Sequence, residues 1–168
     1  EYPVTKNMPA PRTVMYNPRT DRFEYNLPVK EWRWPDKPQT LEMLLHVDGE
    51  MFVGNEIYFT HCFHSRPAVL IERANNTTLR NITIHSHNGM GLTAFHATDI
   101  LIEGLNVVPS EGEHFSTNTD ATHFSSCRGK LRLDGCRFEG QGDDSINVHS
   151  YYYTITEVGK NKVRLVVK

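Results

Sequence analysis

With 168 residues, 18 basic and 20 acidic side chains and a net charge of −2, the chain is long enough for one packed domain, and it has no basic block to draw in nucleic acid. No apolar run approaches the ~20 residues that a membrane-crossing helix needs, and no signal-peptide pattern is present, so neither nucleic acid nor a membrane is an expected partner. Three cysteines, Cys62, Cys127 and Cys136, fit neither a disulfide framework nor a zinc pattern.

Apolar stripes of period 3.6 are scarce and alternating β-branched runs are common, which predicts an all-β chain. It opens on Glu1 without Met and closes on the apolar run "KVRLVVK", so a piece of a longer protein is expected. Residues 1–65 are set apart as an N-terminal segment of strands and loops, with an inserted unit as one reading. Within it, "VMYNPRTDRFEY" reads as a hairpin around an Asn-Pro-Arg-Thr-Asp loop. In "EWRWPDKP", Pro35 and Pro38 predict an irregular loop. Trp32 and Trp34 there are read as core and loop anchors, with a sugar-stacking platform as the alternative.

Residues 66–150 repeat. "LRNITIHS" from Leu79, "ILIEGLNVV" from Ile100 and "LRLDGCRFEG" from Leu131 superpose when Asn81, Gly104 and Gly135 are laid over one another. Leu79, Ile102 and Leu133 then align, as do Ile82, Leu105 and Cys136, and Ile84, Val107 and Phe138. "AVLIERANN" belongs to a preceding coil. The spacing is 23 residues from Asn81 to Gly104 and 31 from Gly104 to Gly135, so the middle coil carries an insertion, placed in Pro109–Ser116. Periods of this size mean stacked repeats. β-Rich content with Asn or Gly at the corners points to a parallel β-helix of few coils, with a plain β-sandwich as the alternative. Residues 151–168, "YYYTITEVGKNKVRLVVK", read as two strands around a Gly-Lys-Asn turn, the start of a further antiparallel unit.

Carrying the register past the corners sets Met90, Asp120 and Asp144 at one phase. Leu92, Thr122 and Ile146 follow as inward positions, then Ala94, Phe124 and Val148, with Thr93, His123 and Asn147 facing out between them. Asp120 and Asp144 should therefore stand on neighbouring strands, about 4.8 Å apart. Asp143, one residue earlier, should point elsewhere. Neighbouring carboxylates can hold and deprotonate a water while a third carboxyl serves as acid. Inverting glycosidases need such a division, with acid and base roughly 6.5–9.5 Å apart. Asn118, His123, Asn147 and His149 are the candidate sugar-binding side chains around Asp120, Asp143 and Asp144. The alternatives are a calcium site, although calcium takes about six to eight oxygens, or a polar ladder at the coil corners. His61 with His64, His85 with His87, and His96 lie close in sequence but lack the HExxH pattern, so no metal is expected there.

"NTDATHFSSCRGKLRLDGCRFEGQGDDSINVHS", residues 118–150, together with "TLRNITIHSHNGMG" upstream, resembles glycoside hydrolase family 110. These are bacterial exo-acting α-galactosidases on a right-handed parallel β-helix. The resemblance implies inverting hydrolysis without metal or other cofactor, a terminal α-1,3-linked galactose on a glycan as substrate, and a secreted or periplasmic location. Through its motifs it implies Asp120, Asp143 and Asp144 as the catalytic acids. The polygalacturonase family has a similar arrangement, in which the first acid of the pair is the proton donor. By that analogy Asp143 is the acid, and Asp120 and Asp144 hold the water. Ala121 after "NTD" and the lack of an RIK motif depart from polygalacturonases, and Ser150 departs from the Gly that often follows "NVH" in family 110. A β-helix lyase or polygalacturonase-like hydrolase, and a non-catalytic carbohydrate-binding β-helix, are the rival readings. A β-helix of few coils leaves open ends, so self-association through them is expected.

Overall fold

The computed structural model describes residues 12–25, 29–33, 35–36, 40, 42–46, 51–60 and 66–167. Every regular element among them is a strand. The chain divides into two compact units, residues 1–63 and 64–168.

In the first unit, β1 (Arg12–Asn17) pairs antiparallel with β2 (Arg22–Tyr25) and, on its other edge, with β5 (Glu56–Thr60). The β1–β2 connection is the expected turn. Asn17 and Arg22 close it, and the Tyr16 hydroxyl donates to Asp21 across it. That bond to a carboxylate raises the pKa of Tyr16 above its ordinary value, since ionising the phenol would remove its donor. The expected irregular loop around Trp32 is instead a strand. β3 (Val29–Arg33) pairs with β4 (Glu42–Leu45), and Pro35 lies beyond the end of β3. A proline outside the ladder costs no hydrogen bond, so it ends the strand without preventing it. Trp32 is half-buried opposite Met43. Trp34, Pro38, His61, Cys62 and His64 lie outside the described residues.

The second unit is a right-handed parallel β-helix. One ladder joins β6 (Val69–Glu72), β9 (Leu92–Phe95), β12 (Thr122–Ser125) and β15 (Ile146–His149). A second joins β7 (Asn75–Arg80), β10 (Thr98–Glu103) and β13 (Arg128–Asp134). A third joins β8 (Thr83–Ile84), β11 (Asn106–Val107) and β14 (Arg137–Phe138). The pairs are those the repeat implied: Leu79, Ile102 and Leu133 stand in one row, and Ile84, Val107 and Phe138 in another. Between the second and third ladders the chain turns at Asn81, Gly104 and Gly135, all with φ between 55° and 66°. Glycine enters this region without penalty and asparagine at little cost, which explains their recurrence at this phase.

Inward side chains stack coil on coil. Ile71, Ala94 and Phe124 form one row, with small Ala94 between two large neighbours, and Leu92, Ile100, Ile102, Leu105 and Val107 are buried in the same core. The row continues to Val148, which is 61% exposed because, among the described residues, β15 has a strand partner on one edge only. Residues 153–167 form a separate antiparallel hairpin, β16 (Tyr153–Val158) and β17 (Val163–Val167), around Gly159–Asn161. Phe124 is fully buried between coils on both sides. Its replacement by alanine should cost about 3–5 kcal/mol of unfolding free energy, measured by urea denaturation.

Candidate active site

The acids sit where the chain enters the first ladder. Backbone bonds hold that entry in register: Gly91 N–H donates to the Asp120 carbonyl, and Ala121 N–H to the Asp144 carbonyl. Met90, Asp120 and Asp144 thus occupy equivalent positions, and Thr93, His123 and Asn147 face one another three residues on. The insertion in the middle coil is absorbed before this point. His87, Thr117 and Gln141 are paired by isolated parallel bridges, a short ladder that re-registers the coils just upstream of the acids. The sequence reading missed this ladder. Its signal was present, because Thr117 lies at the phase of His87 and Gln141 once the insertion is removed.

The same contact recurs in each coil, between one residue and the residue three further on. Thr93 Oγ1 donates to Met90 Sδ at 3.4 Å. His123 Nδ1 lies 2.5 Å from Asp120 Oδ2, and Asn147 Nδ2 donates to Asp144 Oδ2 at 3.1 Å. The backbone at this corner presents a fixed pair of side-chain positions, and two of the three coils fill it with a carboxylate and a partner for it.

The environments of the acids differ. Asp120 is 3% exposed, enclosed by coils on both sides, whereas Asp143 and Asp144 are exposed. A buried carboxylate requires partners. Asp120 has them on both oxygens: His123 at Oδ2, and the Asp144 backbone N–H at Oδ1, 3.3 Å away. One oxygen from each of Asp120, Asp143 and Asp144 lies within 4.8 Å of the other two. The structure therefore brings the three acids together, and Asp143 is not turned away as its place in the sequence had implied. Three oxygens this close can share a proton, a water or a cation. Asp120's two internal bonds and the neighbouring histidines make acid–base work the simpler use.

Among the polar candidates, His123 and Asn147 orient Asp120 and Asp144. His149 joins the cluster through His123, with their Nε2 atoms 2.8 Å apart. Asn118 turns its amide towards the preceding coil and donates to the Asn88 carbonyl at 3.2 Å. His85 and His87 bond to the Val108 and Arg66 carbonyls, and His96 bonds to the Tyr151 hydroxyl.

The glycines of "GQGDD" are explained by close approach. A Cβ at Gly142 would sit 2.4 Å from the Asn118 carbonyl oxygen, and Gly142 N–H donates to the Thr117 carbonyl at 2.8 Å. The loop bearing Asp143 and Asp144 rests directly on the neighbouring coil, and Gln141 Nε2 braces it by donating to Ser145 Oγ.

Comparison with known proteins agrees with the fold. Residues 45–162 match the family described as Glycosyl hydrolases family 28. The chain is 38% identical over 108 residues to an alpha-1,3-galactosidase A of Shewanella woodyi, covering 63% of this chain and 18% of that protein. It is 35% identical over 111 residues to an alpha-1,3-galactosidase B of Parabacteroides distasonis, covering 64% of this chain and 18% of that one. It is 37% identical over 111 residues to an alpha-1,3-galactosidase B of Bacteroides fragilis, covering 64% and 19%. The matched segment thus spans less than a fifth of the length of these curated relatives. Their names agree with the resemblance carried by "NTDATHF" and "DDSINVHS".

A Gly142→Ala substitution should force the acid loop off the Asn118 carbonyl. The expected loss is about 1–3 kcal/mol of stability, read by thermal or urea unfolding.

Proposed function

This chain belongs to glycosyl hydrolases family 28, and from that premise we propose that it carries the acid–base centre of an exo-acting α-galactosidase of the α-1,3 type. The observation that carries the reading is the meeting of Asp120, Asp143 and Asp144 at one corner of the coil stack, in a chain whose relatives are named alpha-1,3-galactosidase. The substrate is a glycan ending in α-linked galactose. The setting is outside the bacterial cytoplasm, secreted or periplasmic.

The proposed reaction is a single displacement. Asp120 and Asp144 hold a water and take its proton as its oxygen bonds to the anomeric carbon. Asp143, exposed beside them, gives its proton to the leaving oxygen as the glycosidic bond breaks. Asp120 suits the water-holding role because its carboxylate is fixed by His123 and by the Asp144 N–H. Asn118, His123 and Asn147 supply the polar groups near the sugar, with His149 behind His123. The oxygens of the three acids lie closer together than the roughly 6.5–9.5 Å between carboxyl groups in inverting enzymes, so stereochemistry is the sharpest test.

Proton NMR during hydrolysis of an α-1,3-galactosyl disaccharide should show β-galactose first, with homogalacturonan left intact. Release of α-galactose would overturn the single displacement. Cleavage of the uronide instead would favour the polygalacturonase-like reading. Asp143→Asn should lower kcat by about 10²–10⁴-fold on the disaccharide and far less on a dinitrophenyl galactoside, whose leaving group needs no proton. Asp120→Asn and Asp144→Asn should lose activity on both.

The inward residues Ile146 and Val148 of β15 are 49% and 61% exposed, an apolar edge we read as a surface for self-association. Sedimentation should show mass rising with concentration, and a sharp monomer would count against it.

A further inference from the structure

Three hydrogen-bonded links run in series from the buried acid towards the surface. Asp120 Oδ2 lies 2.5 Å from His123 Nδ1. His123 Nε2 lies 2.8 Å from His149 Nε2, with the rings edge to face. His149 Nδ1 lies 3.0 Å from the Ser150 carbonyl oxygen.

Each link needs one hydrogen between its heavy atoms. A carbonyl oxygen, a carboxylate oxygen and a bare imidazole nitrogen can only accept. The Ser150 carbonyl cannot donate, so His149 Nδ1 carries a hydrogen. The contact at Asp120 takes a second. The two facing Nε2 atoms take a third, since two lone pairs would repel at 2.8 Å. An ionised carboxylate and two neutral imidazoles together hold only two hydrogens. The geometry therefore calls for one proton more.

We propose that His149 is a positioning residue: its ring holds the extra proton on the His123–His149 pair, and the resulting imidazolium fixes Asp120 as an oriented carboxylate. This rests on the galactosidase reading, and deepens it by assigning His149 to the water-holding side of the site rather than to the sugar.

The surroundings agree in sign. Across the ladder His123 faces Thr93 and Asn147, neither of which titrates. Asp143 and Asp144, each with an oxygen within 4.8 Å of one on Asp120, bring no positive charge to the site. His96, at the end of β9, is bonded to Tyr151 and takes no part in the series. His149 is exposed and His123 half-buried, so the proton has a path to solvent.

The count of ring hydrogens can be read without any substrate. Long-range ¹H–¹⁵N spectra of the histidine-labelled protein at neutral pH should show three protonated nitrogens across the His123 and His149 rings. Two would overturn the proposal. His149→Phe should return His123 to the neutral ring and lower kcat on an α-1,3-galactosyl disaccharide by about tenfold or more, with KM little changed. An unchanged kcat, or a raised KM alone, would overturn the positioning role and leave His149 a sugar contact. If the unsubstituted protein cleaves no galactoside, the galactosidase reading falls, and the hydrogen count still decides whether the pair is charged.

Discussion

The site depends on register. Parallel strands of successive coils pair residue for residue, so Asp120 and Asp144, 24 residues apart in sequence, are brought to adjacent coils. The backbone bonds from Gly91 to Asp120 and from Ala121 to Asp144 set that correspondence, and the bridges at His87, Thr117 and Gln141 restore it after the insertion in the middle coil. A slip of one residue would turn His123 and Asn147 inward and Phe124 and Val148 outward. The buried row Ile71–Ala94–Phe124 opposes such a slip, so core packing and acid placement are one constraint.

Position within the stack then separates carboxylates that the sequence presents as alike. Asp120 lies on a coil covered from both sides and is buried, with a partner for each oxygen. Asp144 occupies the equivalent place on the next coil and is exposed, with Asn147 as its partner. Asp143 shares that exposure. A group held by fixed bonds away from water suits an unchanging role such as orienting a water. A group open to solvent can exchange protons with it. Depth in the stack thus sets Asp120 apart from Asp143 and Asp144.

Much of this is legible in the sequence because the repeat is periodic. The rows through Leu79, Ile102 and Leu133 and through Leu92, Thr122 and Ile146 come from spacing alone, and the pairing of the strands matches them. The left-handed corners at Asn81, Gly104 and Gly135 are marked by residue type. The rest depends on directions that periodicity does not encode. Asp143, one residue before Asp144, is expected from its phase to turn away, yet the tight loop after Gly142 brings its carboxylate back to the others. Asn118 falls in sequence among the candidate sugar-facing residues, and its amide donates to the Asn88 carbonyl on the preceding coil, a bond that spacing does not reveal. The strand through Trp32 is masked in the sequence by Pro35 and Pro38, both of which lie beyond its last residue, Arg33.

The recurring contact between a residue and its third successor shows how a repeat can acquire chemistry without altering its frame. Met90 and Thr93 fill the slot with a sulfur and a hydroxyl, a contact of no catalytic use. Asp120 and His123 fill the same slot with a carboxylate and an imidazole, and Asp144 and Asn147 with a carboxylate and an amide. The slot fixes geometry and the residue type fixes reactivity. Only the imidazole has a second ring nitrogen to continue the series, and across the ladder His149 meets it. An amide in place of His123 could orient Asp120 but could not carry a positive charge. The histidine on the buried coil and the asparagine on the exposed one therefore reflect what each carboxylate requires. The enclosed acid has little water to stabilise its charge and gains from a cation, whereas the exposed acid is solvated and needs only to be aimed.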